Sequence, residues 1–158
     1  IYDYGNGHVI DRNAVTGGNY GIYVNGSGTA VTRNSIRESA FAGIQLNGYF
    51  LPVEGNKVWD SAGSGIVVNS GGQGPIAGNK VAGANQHGIA AYGGGNTFTG
   101  NKVTACDVFG FYVTATGNTF SMNKASGSGQ LDLADTNLAG VNTYTDNRFG
   151  TTAIPYIE

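Results

Sequence analysis

Tyrosines and side-chain amides recur along this chain at an interval close to 22 residues. Tyr2, Tyr23, Gln45, Val67, Ala90, Tyr112 and Asp132 fall in one such series, and Tyr4, Asn25, Asn47, Asn69, Tyr92, Thr114 and Ala134 in the next. Brought onto one outward face, Tyr23, Gln45, Asn47, Asn69, Tyr92, Tyr112 and Asp132 would supply what a carbohydrate-binding surface needs. Aromatic rings pack against a pyranose, and amides meet its hydroxyls. Tyrosine is also a good strand residue, which alone would account for its presence. Acid–base catalysis needs a second group within hydrogen-bond reach of the reacting atom. Asp132 is the single carboxylate in the two series, so paired-carboxylate hydrolysis is not expected here and catalytic residues stay unassigned.

A further series is cationic. Asn13, Asn34, Asn56, Asn79, Asn101, Asn123 and Asn147 are followed by Ala14, Ser35, Lys57, Lys80, Lys102, Lys124 and Arg148, which places five of the eight Lys and Arg residues in one phase. Stacked on adjacent coils, these charges would repel by about 1 kcal/mol per neighbouring pair even in water. A polyanion with charges about 5 Å apart, such as a uronate polymer, would match the strand spacing and neutralise them. The plainer reading is a solubilising stripe whose lysine stems cover apolar surface.

Other candidates carry less. Thr97/Thr99, Thr119/Ser121 and Thr143/Thr145 would form a flat hydroxyl array that resembles ice-binding solenoids, but it stops at Pro75/Ala77. Asp11, Arg12 and Arg33 read as a surface ion pair of small worth. Cys106 lacks the basic partner that a nucleophile needs. His87 reads as a loop residue without paired carboxylates. No metal site and no cofactor are indicated.

These residues align only if the chain repeats, and it does. Successive ladder asparagines are 21, 22, 23, 22, 22 and 24 residues apart. Each of the first six is followed by a glycine that opens an apolar segment: Gly21-Ile22, Gly43-Ile44, Gly65-Ile66, Gly88-Ile89, Gly110-Phe111 and Gly129-Gln130-Leu131. Periodicity of this length means a solenoid whose coils bury their faces against one another. Within residues 96–117, Thr97-Phe98-Thr99 and Lys102-Val103-Thr104 alternate polar and apolar residues, as a half-buried strand does. Gly110-Phe111-Tyr112-Val113 is a third strand, with Phe111 and Val113 inward. Three short strands per coil of about 22 residues describe a single-stranded, right-handed parallel β-helix of six to seven coils.

The inward slots check this register. Ile10, Val31, Val53, Ile76, Phe98, Phe120 and Tyr144 form one apolar series, and Val15, Ile36, Val58, Val81, Val103, Ala125 and Phe149 form another. The third runs from Ile22/Val24 to Phe111/Val113 and Leu131/Leu133. The asparagines suit the turns, because Asn tolerates left-handed backbone angles. Its amide both donates and accepts, so stacked copies can form a ladder.

Composition narrows the class. The chain has 158 residues, enough for one domain, with 28 glycines and 11% charged residues. Apolar residues make up 40% and sit at regular positions, so tight turns explain the glycines better than disorder does. A net charge of −2 gives no global field to attract nucleic acid or an anionic membrane. A lone cysteine permits no intrachain disulfide, and no apolar run is long enough to span a bilayer.

The ends are expected to differ. Ile1-Tyr2-Asp3-Tyr4 aligns with Ile22-Tyr23-Val24-Asn25, so the chain opens inside a coil. That suggests the C-terminal part of a longer solenoid, whose open edge would meet preceding coils or another copy. Asp3, in a slot apolar elsewhere, would blunt that edge. Residues 150–158 are expected to leave the pattern as a tail that covers the last coil.

The alternation of Asn-Thr-Phe-Thr-Gly-Asn-Lys-Val with Gly-Ile-x-Val resembles the pectate-lyase-like superfamily across residues 1–149. It is most similar to the carbohydrate-binding and sugar-hydrolase type of repeat in polysaccharide lyases, alginate epimerases and periplasmic NosD-like proteins. The resemblance implies that polysaccharide is the partner, bound over the Gly-Ile sheet, and that the protein is secreted, periplasmic or at the cell surface. Any lyase or epimerase residues would then lie mainly outside this chain. The acidic calcium clusters, the Asp-Pro-His-Glu motif and the paired aspartates with Gly-His-Gly of those enzymes do not occur in it. A structural solenoid without ligand is the alternative.

Overall fold

A computed structural model describes residues 1–72 and 74–153, and every regular element in them is a β-strand. The strands form three parallel sheets that run the length of the solenoid. The eight-stranded Gly-Ile sheet comprises Tyr2–Asp3, Tyr20–Val24, Ala42–Leu46, Ser64–Val68, His87–Ala91, Phe109–Val113, Leu131–Asp135 and Thr152–Ala153. A seven-stranded threonine sheet runs from Val9–Asp11 to Thr143–Thr145, and a seven-stranded cationic sheet from Ala14–Thr16 to Arg148–Phe149. Each strand pairs with its equivalent one coil away, as the sequence period requires.

Inside, like stacks on like. Ile22, Ile44, Ile66, Ile89 and Phe111 form a buried column of the Gly-Ile sheet. Phe98 lies 4.6 Å from Phe120, ring centre to ring centre, and Phe120 lies 5.0 Å from Tyr144. Offset aromatic stacking of this kind adds to simple burial. The asparagine ladder is complete at every described rung. Asn79 Nδ2 donates to Asn101 Oδ1 (3.0 Å) and to the Val53 carbonyl (2.8 Å), while Asn79 Oδ1 accepts from the Asn56 backbone N–H and from Asn56 Nδ2. The same exchange links Asn13 to Asn34 and Asn123 to Asn147. A second, shorter ladder stands at another corner, where the Asn96 and Asn118 backbone N–H groups donate to Asn118 Oδ1 and Asn142 Oδ1.

The repeated glycine is required by close approach. A Cβ on Gly43 would lie 2.2 Å from Val58 Cγ1 and 2.8 Å from the Gly65 carbonyl oxygen, and Gly65 and Gly88 are equally crowded. The chain bulges inward at these positions, so the residue before each glycine turns outward.

The last full coil departs from the sequence reading. Phe111 pairs with Leu133, Tyr112 with Ala134 and Val113 with Asp135. Leu131 therefore matches Phe109, and Asp132 falls in the slot that Gly110 holds one coil earlier. The loop before this strand, residues 127–130, is as long as those of the three coils before it, and Gly129 lies inside it rather than in the strand. Asp132 fits because Gly150 stacks on it: a Cβ on Gly150 would lie 2.7 Å from Asp132 Oδ2. The pattern also continues further than expected, since Thr152–Ala153 pair with Leu133 and Ala134. The proposed cover by the tail falls on residues 154–158, which lie outside the described residues.

Candidate functional site

Three outward columns make up the surface of the Gly-Ile sheet. One pairs Tyr2, Tyr23, Gln45, Val67, Ala90, Tyr112 and Ala134 in register. The next carries Asn25, Asn47, Asn69 and Tyr92. Asn69 Nδ2 donates to Asn47 Oδ1 at 2.7 Å, and Gln45 Nε2 lies 3.5 Å from the same oxygen. A third column, not recognised in the sequence, is formed by the residues before the glycines: Tyr20, Ala42, Ser64, His87, Phe109 and Leu131. His87 thus opens a strand and is not a loop residue. The recurrence of the position itself was the signal, hidden because an inward bulge breaks simple alternation.

This third column completes two aromatic clusters. Tyr20 lies 5.3 Å from Tyr23, 6.2 Å from Tyr2 and 5.7 Å from Phe41, and Tyr4 lies 5.7 Å from Tyr23. Toward the other end His87 stacks on Phe109 at 5.2 Å and meets Tyr112 at 4.6 Å, with Tyr92 edge-on to Tyr112 at 6.0 Å. Tyr23 and Tyr112 are four strands apart in one column, a span of about 19 Å at the usual inter-strand spacing. Between them Ala42, Ser64, Val67 and Ala90 are buried, and the accessible groups are the amides of Gln45, Asn47 and Asn69.

No charged side chain occupies these columns. Burial lowers the His87 pKa and keeps its imidazole neutral near physiological pH. Asp132, expected here as a sugar contact, is instead only 3% exposed. Its oxygens accept hydrogen bonds from the Ser128 and Thr151 backbone N–H groups, both at 3.1 Å. Burial raises its carboxyl, but these hydrogen bonds outweigh burial and hold it below the ordinary value. Asp132 is a structural anchor. With it removed, Tyr23, Gln45, Asn47, Asn69, Tyr92 and Tyr112 share one uncharged face.

The expected cationic column is in register, from Lys57 through Lys80, Lys102 and Lys124 to Arg148, on a different sheet. Asp11 is ion-paired as expected, accepting from Arg33 Nε at 2.8 Å, Thr32 Oγ1 at 2.7 Å and Arg12 Nη1 at 3.2 Å. Cys106 is buried, and burial pushes its thiol up to about 11. Among the described residues no three His, Cys, Asp or Glu side chains converge as metal ligands would.

A three-sheet parallel solenoid with a ladder of inward asparagines is a parallel β-helix of the pectate-lyase-like kind. Residues 1–157 match the family model described as periplasmic copper-binding protein (NosD), and the chain belongs to that family. The family is periplasmic, in agreement with the extracytoplasmic location expected from the sequence. No helix of the described residues is long and apolar enough to cross a membrane. A search of curated proteins found no match.

Proposed function

We propose that this NosD-family β-helix is an extracytoplasmic glycan-binding module and that its uncharged Gly-Ile face takes a neutral oligosaccharide. The observation that carries the reading is the pair of aromatic clusters about 19 Å apart, at the strand spacing of ~4.8 Å, with the accessible amides of Gln45, Asn47 and Asn69 between them. Tyrosine faces suit pyranose rings, and the Gln45, Asn47 and Asn69 amides suit the hydroxyls along the edge. A binding reading is favoured over glycan processing because this face holds no exposed carboxylate to act as acid or base.

The copper of the family's description finds no fitting donor set among the described residues. Cys106 is sealed in the core with a raised pKa, and Met122 stands exposed at a turn. His8 Nδ1 is 2.7 Å from Asp3, and His87 is packed among aromatic rings. A titration of neutral oligosaccharides against the wild type and the Tyr23→Ala/Tyr112→Ala variant tests the glycan reading. The variant should bind more weakly with an unchanged urea midpoint, and equal binding by both proteins would reject the assignment.

A further inference from the structure

The geometry points to a second binding face, the cationic sheet, which we propose takes an acidic polysaccharide bearing one carboxylate per sugar. Lys57, Lys80, Lys102 and Lys124 are all the lysines of the chain, and they stand in one column that ends in Arg148. Arg37 adds a sixth cation from the adjoining column, its guanidinium 4.7 Å over the Trp59 ring. The two remaining cations, Arg12 and Arg33, are taken by Asp11 on another sheet. Among the described residues none of the six shares an ion pair, and no Asp or Glu stands on the strands of this sheet. A net charge of −2 for the whole chain makes this segregation local.

The spacing selects the occupant. Cations recur once per strand, at about 4.8 Å along a straight line. An extended acidic peptide presents same-side carboxylates every second residue, at about 6.8 Å, and falls out of step within a few strands. Single-stranded nucleic acid draws affinity from bases stacked on open aromatic faces. Trp59 is the one aromatic on the outward columns of this sheet, and Arg37 covers it. A pyranose acid polymer carries a carboxylate on every sugar, at about the strand interval along its axis, and the long lysine stems can reach carboxylates that successive sugars turn to either side of the column. Room for the rings exists beside the charges. Lys102, Lys124 and Arg148 line a cavity of about 430 Å³ together with Ser126, Phe149 and Gly150.

This face does not depend on the neutral-glycan reading, since the two lie on different sheets. Because the column contains every lysine, limited acetylation of the wild-type protein reads it directly, with the N-terminal amine as internal reference. Oligogalacturonate should slow acetylation of Lys80, Lys102 and Lys124 several-fold relative to that amine, and added salt should abolish the protection. Uniform reactivity, or equal protection by single-stranded DNA, would overturn the proposal. The Lys80→Gln/Lys102→Gln/Lys124→Gln variant should bind oligogalacturonate at least about tenfold more weakly, as expected when several charge contacts are lost. The Tyr23→Ala/Tyr112→Ala variant should bind it as the wild type does. Unchanged affinity in the triple variant would also overturn the proposal, and if that variant failed to fold, the wild-type acetylation pattern would decide.

Discussion

Asp3 and Asp135 flank a run of five apolar rungs in a single inward column. Asp3 pairs with Val24 and Asp135 with Val113, so between the carboxylates lie only Val24, Leu46, Val68, Ala91 and Val113. Both are buried, and both are fully engaged. Asp3 accepts from Thr29 Oγ1 at 2.7 Å and the Gly5 N–H at 3.0 Å, beside His8. Asp135 accepts from Tyr144 Oη at 2.8 Å, Asn142 Nδ2 at 2.9 Å and Asn137 Nδ2 at 2.7 Å. Here the last apolar rung is followed by a carboxylate whose partners come from the next turn of chain.

Asp135→Ala should therefore destabilise the protein by about 1–3 kcal/mol, because the half-buried Tyr144 hydroxyl loses its acceptor and the buried Asn142 amide loses one of two. Tyr144→Phe, which removes one donor and leaves Asp135 Oδ2 still bonded by Asn142, should cost less. Urea unfolding of both variants checks the ordering, and equal midpoints for Asp135→Ala and the wild type would contradict it.

Asn79→Ala tests the interior ladder. Asn79 is fully buried and its side-chain polar atoms are bonded, so truncation leaves the Asn56 backbone N–H without its acceptor and removes one bond each from Asn56 Nδ2 and the Val53 carbonyl. The loss should be about 1–3 kcal/mol in urea unfolding. The exposed neighbour Lys80→Ala should change stability by less than about 0.5 kcal/mol.

The long period made most of this architecture legible. Asparagine, glycine and apolar slots repeat together, and a one-residue slip would turn every core side chain outward. The same rule explains the failures. Leu131 and Leu133 satisfy the apolar pattern in either of two registers, and Gly129 marked the wrong one. Asp132 then looked like a surface residue, although Gly150 on the next coil is what admits it. The column from Tyr20 to Phe109 was missed because the bulge at each glycine resets the alternation. The end networks were illegible for another reason: whether Asp135 is closed depends on where Tyr144 and Asn142 return, which local pattern does not fix. The second ladder could have been found, since Asn96, Asn118 and Asn142 each precede a Thr-aromatic pair.

Acid should weaken the fold through Asp11. Hydrogen bonds from Arg33 and Thr32 lower its pKa from the ordinary 3.8 to about 2. A carboxylate depressed in the folded state stabilises above its unfolded pKa, and that contribution is lost as pH falls through the window from 3.8 to about 2. Asp3, also held low, acts in the same direction: burial raises its carboxyl, but bonds from Thr29, Gly5 and His8 outweigh it. The urea midpoint should thus fall between pH 4 and pH 2 in the wild type, about the range these carboxyls titrate. Arg33→Ala should show a shallower fall, and parallel curves for the two proteins would count against the pair.

Copper provides a separate check. With Cys106 buried and no three ligating side chains converging among the described residues, added Cu(II) should leave the thermal midpoint nearly unchanged. A rise of several degrees that His87→Ala removed would instead show a copper site built around the His87 cluster.

The most direct test of the glycan face is residue-resolved amide NMR of the wild-type protein during titration with a neutral oligosaccharide long enough to bridge both aromatic clusters. Shift changes should concentrate at Tyr23, Gln45, Tyr92 and Tyr112, on the two clusters and the stretch between them, and leave Lys80 and Lys102 unmoved. Changes centred on the cationic sheet, or none at saturating sugar, would contradict the account.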